Sequence, residues 1–181
     1  MKKLFIIVSI LNLIGCASLN NPHDPALITS ANLAGGKGVI LLSAGADKKC
    51  MSLATFLQIN PGEGNANDVN SVLAAVDVYA MKPDFVNHFG FLHALELPAG
   101  RYYFSPWVAN PYVNQNKFIQ ARLEVVEGEI SYLGEYYLTK SCGSDNQFEI
   151  RDRYERDIEL FSEKNKLFSK SDVVKRIIER E

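Results

Sequence analysis

Ile119-Gln120-Ala121-Arg122-Leu123-Glu124-Val125-Val126-Glu127-Gly128-Glu129-Ile130-Ser131-Tyr132-Leu133-Gly134 is the stretch on which the fold turns. Ile119, Ala121, Leu123 and Val125 alternate with Gln120, Arg122 and Glu124, the period-two pattern of a strand with one face in a core and one in water. Glu127-Gly128-Glu129 then predicts a turn that sends the chain back as a hairpin into a second strand over residues 130–138, with Gly128 free to take a positive φ.

Similar runs extend outward from this stretch, separated by turn residues. Residues 39–43 read as a short apolar strand. Residues 52–60 read as another, closed by Pro61-Gly62-Glu63-Gly64-Asn65. Val72, Ala74, Val76, Val78 and Ala80 put a five-position apolar face on residues 71–81, which Pro83 stops. Phe89, Phe91, His93, Leu95 and Leu97 align over 89–97, and Pro98-Ala99-Gly100 predicts a tight turn into 101–107. A last short strand covers 148–151. About eight strands at regular spacing predict a mainly β chain, an antiparallel β-sandwich, with a barrel as the alternative. After Arg151 the period changes. Asp152 stands three residues before Glu155, and Tyr154, Ile158 and Phe161 follow at helical spacing, which predicts an amphipathic helix. Ser169 is expected to open a second short helix with Val173, Val174, Ile177 and Ile178 on one stripe, so that 153–181 forms a helical extension packed on the sandwich.

The N-terminus carries an address. Lys2 and Lys3 precede an apolar run from Leu4 to Leu13, about half the length a membrane-spanning helix needs, which predicts a removable secretory signal over residues 1–15. Leu13-Ile14-Gly15-Cys16 resembles the bacterial lipobox, in which a peptidase cuts before a cysteine whose thiol has been acylated. Cys16 is therefore the expected lipidation site, and the membrane the first expected partner. Ala17, standing where enteric lipoproteins kept at the inner membrane carry aspartate, implies sorting to the periplasmic side of the outer membrane. Residues 16–38, poor in apolar period and ending in Ala34-Gly35-Gly36-Lys37-Gly38, are expected to be a flexible tether. The sandwich domain is expected over 39–152.

Once Cys16 is committed to lipid, Cys50 and Cys142 remain. An even pair in an exported chain predicts a disulfide, with two free thiols as the alternative. Loss of Lys2 and Lys3 from 19 basic residues leaves 17 against 21 acidic ones, so no basic surface for nucleic acid is expected.

Leu97-Pro98-Ala99-Gly100-Arg101-Tyr102-Tyr103 and Leu123-Glu124-Val125-Val126-Glu127-Gly128-Glu129-Ile130-Ser131-Tyr132-Leu133-Gly134, together with the lipobox, resemble a signature of small uncharacterised bacterial lipoproteins. Their domain is a transthyretin-like or carboxypeptidase-regulatory-like sandwich. The resemblance implies that fold and an envelope address, and it supplies no catalytic residues.

Residue patterns that would carry chemistry are sparse. Glu127 and Glu129 flank the turn glycine and are read as its solvated sides. His88, His93 and Glu96 invite a metal, but a spacing of five puts the two histidines on opposite faces of a strand, and His93, sharing a face with Phe91 and Leu95, is expected in the core. His23 is expected to be exposed in the tether. No catalytic residues, metal or cofactor are predicted. Residues 107–114 are expected to form an exposed loop in which Trp107, Tyr112 and Val113 meet an envelope protein partner. The function expected is a non-enzymatic binding or structural module. A carrier of an apolar ligand in a β-barrel is the second reading, weakened because the single tryptophan, Trp107, is far from the first strand, and an enzyme is the third.

Overall fold

A computed structural model describes residues 19–47, 54–62, 71–108, 121–139 and 148–178. Its strands are β1 (Lys37–Ala46), β2 (Thr55–Pro61), β3 (Val72–Ala75), β4 (Phe89–Pro98), β5 (Gly100–Val108), β6 (Ala121–Val125), β7 (Ile130–Leu138), β8 (Phe148–Arg151) and β9 (Val173–Lys175), with one α-helix, α1 (Tyr154–Lys164). They form a β-sandwich. One sheet has the order β4-β1-β7-β8, with β9 also on β7; the other has the order β3-β2-β5-β6. The described strands thus form two separate sheets rather than one closed barrel. Most pairings are antiparallel, but β1–β7 and β7–β9 are parallel.

The predicted hairpin between β6 and β7 is not formed. β6 pairs with β5 and β7 with β1, so the turn at Gly128 carries the chain from one sheet to the other. Gly128 does take the positive φ expected, +74°, and its N–H donates to Lys37 O at 2.8 Å while Val39 N–H donates to Glu129 O at 2.9 Å. The reason lies in the faces. β6 buries Ala121, Leu123 and Val125 and exposes Arg122 and Glu124, which suits a sheet open on one side. All nine residues of β7 are buried, as are nine of the ten in β1, and strands apolar on both faces belong together in a sheet covered on both.

Two cores result. Between the sheets Ile40, Leu42, Leu57, Ile59, Leu95, Phe104, Leu123 and Tyr136 pack together, with Phe104 and Tyr136 ring centroids 4.8 Å apart. On the far side of the first sheet Val39, Leu41, Leu92, Ile130 and Tyr132 meet Ile158 and Phe161 of α1, Val173 of β9 and Ile28 of the N-terminal segment. The amphipathic helix predicted from Tyr154, Ile158 and Phe161 is present. The second helix is not: residues 170–172 make a single 3-10 turn and Val173–Lys175 is β9, because the open edge of β7 at Ile130–Tyr132 offers ladder hydrogen bonds that so short a helix with a four-residue stripe cannot match.

The expected flexible tether is folded from Leu19 onward. Asn21 Nδ2 donates to Leu92 O at 2.9 Å, Ala94 N–H donates to His23 O at 2.9 Å, and Asn165 Nδ2 donates to both Pro25 O and Ile28 O. Asp24 pairs with Lys164 at 3.1 Å. Segment 19–36 therefore lies along edge strand β4 and against α1, satisfying an edge that would otherwise stay open.

β3 is also shorter than its apolar face suggested. At Asp77 the chain bends inward so that the carboxylate can accept Thr55 N–H at 2.6 Å, ending the ladder at Ala75.

Candidate functional site

Of the residues singled out in the sequence, Cys16, Cys50, Tyr112, Val113 and Cys142 lie outside the described residues. Trp107 is described: it is a β5 residue, as the strand expected over 101–107 has it, in register with Phe56 of β2, while 109–114 of the expected loop lie outside the described residues. Tyr102 and Phe104 of β5 face the inter-sheet core, so alternation turns Trp107 outward, where it is 37% exposed with its ring 5.5 Å from that of Phe56. It caps no core.

The densest polar constellation was not legible as a motif. Ser43 of β1, Glu135 of β7 and Asp157 of α1 are all but fully buried, and Arg156 ties them together. Its guanidinium donates to Glu135 Oε1 at 2.8 Å, to Asp157 Oδ1 at 2.8 Å and to Ser43 Oγ at 3.0 Å. Ser43 Oγ and Tyr132 OH donate to Asp157 Oδ2 at 2.6 and 2.7 Å. His88 Nε2 lies 3.1 Å from Glu135 Oε1, and Arg153 Nε 3.6 Å from Glu135 Oε2. Burial pushes the Asp157 carboxyl up despite the Arg156, Ser43 and Tyr132 bonds that pull it down. For Glu135 burial acts the same way, but the His88 and Arg156 contacts outweigh it and hold the carboxyl below its usual range.

The sequence hides this group because its members come from four distant segments. One local signal was present: Gly45 and Gly90, opposite each other in the β1–β4 ladder, leave room for the His88 ring, which would sit 2.7 Å from a Cβ at Gly45. Chemically the constellation is closed. The Ser43 hydroxyl donates to a carboxylate rather than to an imidazole base, and Ser43, Glu135 and Asp157 are buried where α1 meets the sheet.

A second buried group clips the N-terminal segment. His93, fully buried as predicted, has Nε2 at 2.7 Å from Ala75 O and Nδ1 at 3.1 Å from Asn21 Oδ1. Burial lowers its pKa from 6.5 to about 3, so the ring is neutral. His23, expected to be exposed, instead sets its ring edge 6.2 Å from that of His93 and reaches Leu73 O at 3.1 Å; desolvation lowers it too. Glu96, offered as a possible metal ligand, is taken by Lys37 and Asn32. Among the described residues no group of three His, Cys, Asp or Glu is placed to hold a metal ion, and no helix is long and apolar enough to cross a membrane.

Half of the large apolar side chains exposed among the described residues lie at one end. β4 and β2 begin, and β1, β5 and β7 finish, at the end where Leu19 joins the fold; the Pro98–Gly100 turn and the Gly128 crossover mark the other end. Leu19, Tyr79, Val86 and Trp107 are exposed at the Leu19 end. No protein-family model, curated protein or solved structure matches this chain.

Proposed function

We propose that this chain is a lipid-anchored envelope lipoprotein, held to the periplasmic side of the outer membrane through Cys16, and that its sandwich works as a non-enzymatic binding or structural module. The observation that carries the reading is how the ionisable groups are used. Glu135, Arg156 and Asp157 are joined to one another in docking α1, and His93 in holding the N-terminal segment, while the solvent-facing large side chains at the Leu19 end are apolar or aromatic. Converging catalytic groups need a path for substrate, whereas a contact surface needs exposed aromatic and apolar area. The lipobox and the resemblance to small lipoproteins with transthyretin-like domains support the same reading, and the pair Cys50 and Cys142 is assigned to a disulfide.

The test is acylation and release. Wild-type protein should take up radiolabelled palmitate and sediment with membranes, and Cys16→Ser should lose the label and appear in the soluble periplasmic fraction. If Cys16→Ser stays with membranes as strongly as wild type, the anchor is elsewhere. Crosslinking of the wild-type lipoprotein in membranes, followed by capture, then identifies the envelope partner.

A further inference from the structure

The chain between the lipid and the folded body is too short to hold the two apart. Leu19 N–H donates to Ala80 O at 2.9 Å and Leu19 bridges Met81, so the chain is part of the fold by Leu19, three residues after Cys16. At roughly 3.5 Å per residue in a fully extended chain, Cys16 lies within about 10 Å of the Leu19 backbone. That is little more than the depth of a headgroup layer, about 5 to 8 Å on each side of the hydrocarbon core.

The surface at this end is what an interface with lipid requires. Of the eight exposed large apolar side chains among the described residues, four belong to it: Leu19 at 61%, Tyr79 at 52%, Val86 at 101% and Trp107 at 37% exposure. Each is placed there by the topology. Tyr79 follows the end of β3, next to the Ala80 carbonyl that holds Leu19, and Val86 lies in the segment whose Asp84 N–H folds back to Gly90 O at the start of β4. Trp107 is the last residue but one of β5. Lys82 is exposed between Tyr79 and Val86. Tyrosine and tryptophan, amphipathic rings with a polar atom, settle at the headgroup level, and a lysine beside them meets lipid phosphate.

We propose that the Leu19 end of the sandwich lies directly on the bilayer that holds the Cys16 lipid, with Leu19, Tyr79, Val86 and Trp107 in the headgroup layer. The domain is a fixed cap on the membrane, with β9 and the Gly128 crossover directed away from it. The inference rests on reading Cys16 as lipidated, and it adds an orientation that lipidation alone does not give. It also selects the surface left for a partner, namely the end carrying Val174 and Lys175.

The chain reports on itself because Trp107 is its only tryptophan. The lipidated full-length protein is placed in phospholipid vesicles whose acyl chains carry bromine near the headgroup, and flotation is measured alongside fluorescence. Trp107 should lose emission relative to unbrominated vesicles, since an indole at headgroup level lies beside the bromine. A second protein, Trp107→Phe with Val174→Trp, moves the reporter to β9. Ser131, the register partner of Val174, precedes Leu138 by seven strand residues, so this reporter stands about 23 Å farther from the membrane and should keep its emission. Protein that floats with an unquenched Trp107 overturns the orientation and leaves the lipid anchor intact. Equal quenching at both positions overturns it as well, by showing a domain without fixed orientation. Protein that fails to float overturns both readings together.

Discussion

His93 shows how a single buried ring couples this fold to pH. In water its pKa is 6.5; inside the sandwich burial lowers it to about 3, with the Ala75 carbonyl bond opposing and the nearby His23 and Lys164 charges adding to the fall. The unfolded chain therefore binds a proton that the folded chain refuses. The stability contributed by neutral His93 is complete above about pH 6.5 and is lost as pH falls toward about 3, at up to about 1.4 kcal/mol per pH unit. Urea unfolding followed between neutral and acid pH should show that slope. His93→Gln keeps a donor for Ala75 O and removes the titration, so its slope should be shallower by close to one proton. An unchanged slope would show that other groups, His23 first among them, carry the acid sensitivity. Burial of His93 was legible from its place between Phe91 and Leu95; its partner Asn21 was not, because the contact joins residues 72 positions apart.

At the scale of elements, α1 is held by two kinds of force. Ile158 and Phe161 supply the apolar stripe that the sequence announced. Arg156 supplies the charge that lets Glu135 and Asp157 stay ionised in a buried position. Breaking such a pair costs more than the pair contributes, since the remaining charges are left uncompensated. Arg156→Met, which removes the guanidinium together with its stacking on the Phe85 ring, should destabilise by about 3 kcal/mol at neutral pH. The loss should shrink as the pH is lowered, because burial pushes the Asp157 carboxyl up and eases its protonation. Equilibrium unfolding of the variant at neutral and lowered pH checks this, and an equal loss at each would mean the guanidinium acts through packing alone. The same scale explains the missing hairpin. β6 and β7 are neighbours in sequence with a good turn between them, yet their burial demands differ, and demand on both faces outranks proximity along the chain.

For the whole molecule, the parallel pairing of β1 with β7 gives the cysteine pair a geometric argument that counting could not. Ala46 and Leu138 are register partners at the Leu19 end, and Cys50 and Cys142 each follow by four residues. Adjacent strands are about 4.8 Å apart, so β1 and β7 end at neighbouring points, and each cysteine stands four positions further along the sequence. A disulfide between them, closing a long loop, contributes on the order of 4 to 5 kcal/mol in the chain-entropy treatment. Non-reducing mass spectrometry of protein isolated from the periplasmic side should find a peptide pair joined through Cys50 and Cys142, and reduction should lower the melting temperature. Two freely alkylated thiols in fresh protein would end the assignment.

By itself the sequence determined the local matters: the bounds of β7 and β8, the alternation of β6, the turn at Pro98–Gly100, the positive φ at Gly128 and the amphipathic face of α1. Each depends on residues a few positions apart, through side-chain periodicity or a glycine's conformational freedom. Tertiary structure decided the partners. Whether β7 joins β6 or β1, whether Val173–Lys175 is helix or strand, and whether residues 19–36 swing free or lie on β4 are settled by hydrogen bonds and burial between segments far apart in the chain. The Arg156 constellation and the apolar end around Leu19 arise in the same way, since their members share no stretch of sequence and come together only when the two sheets close.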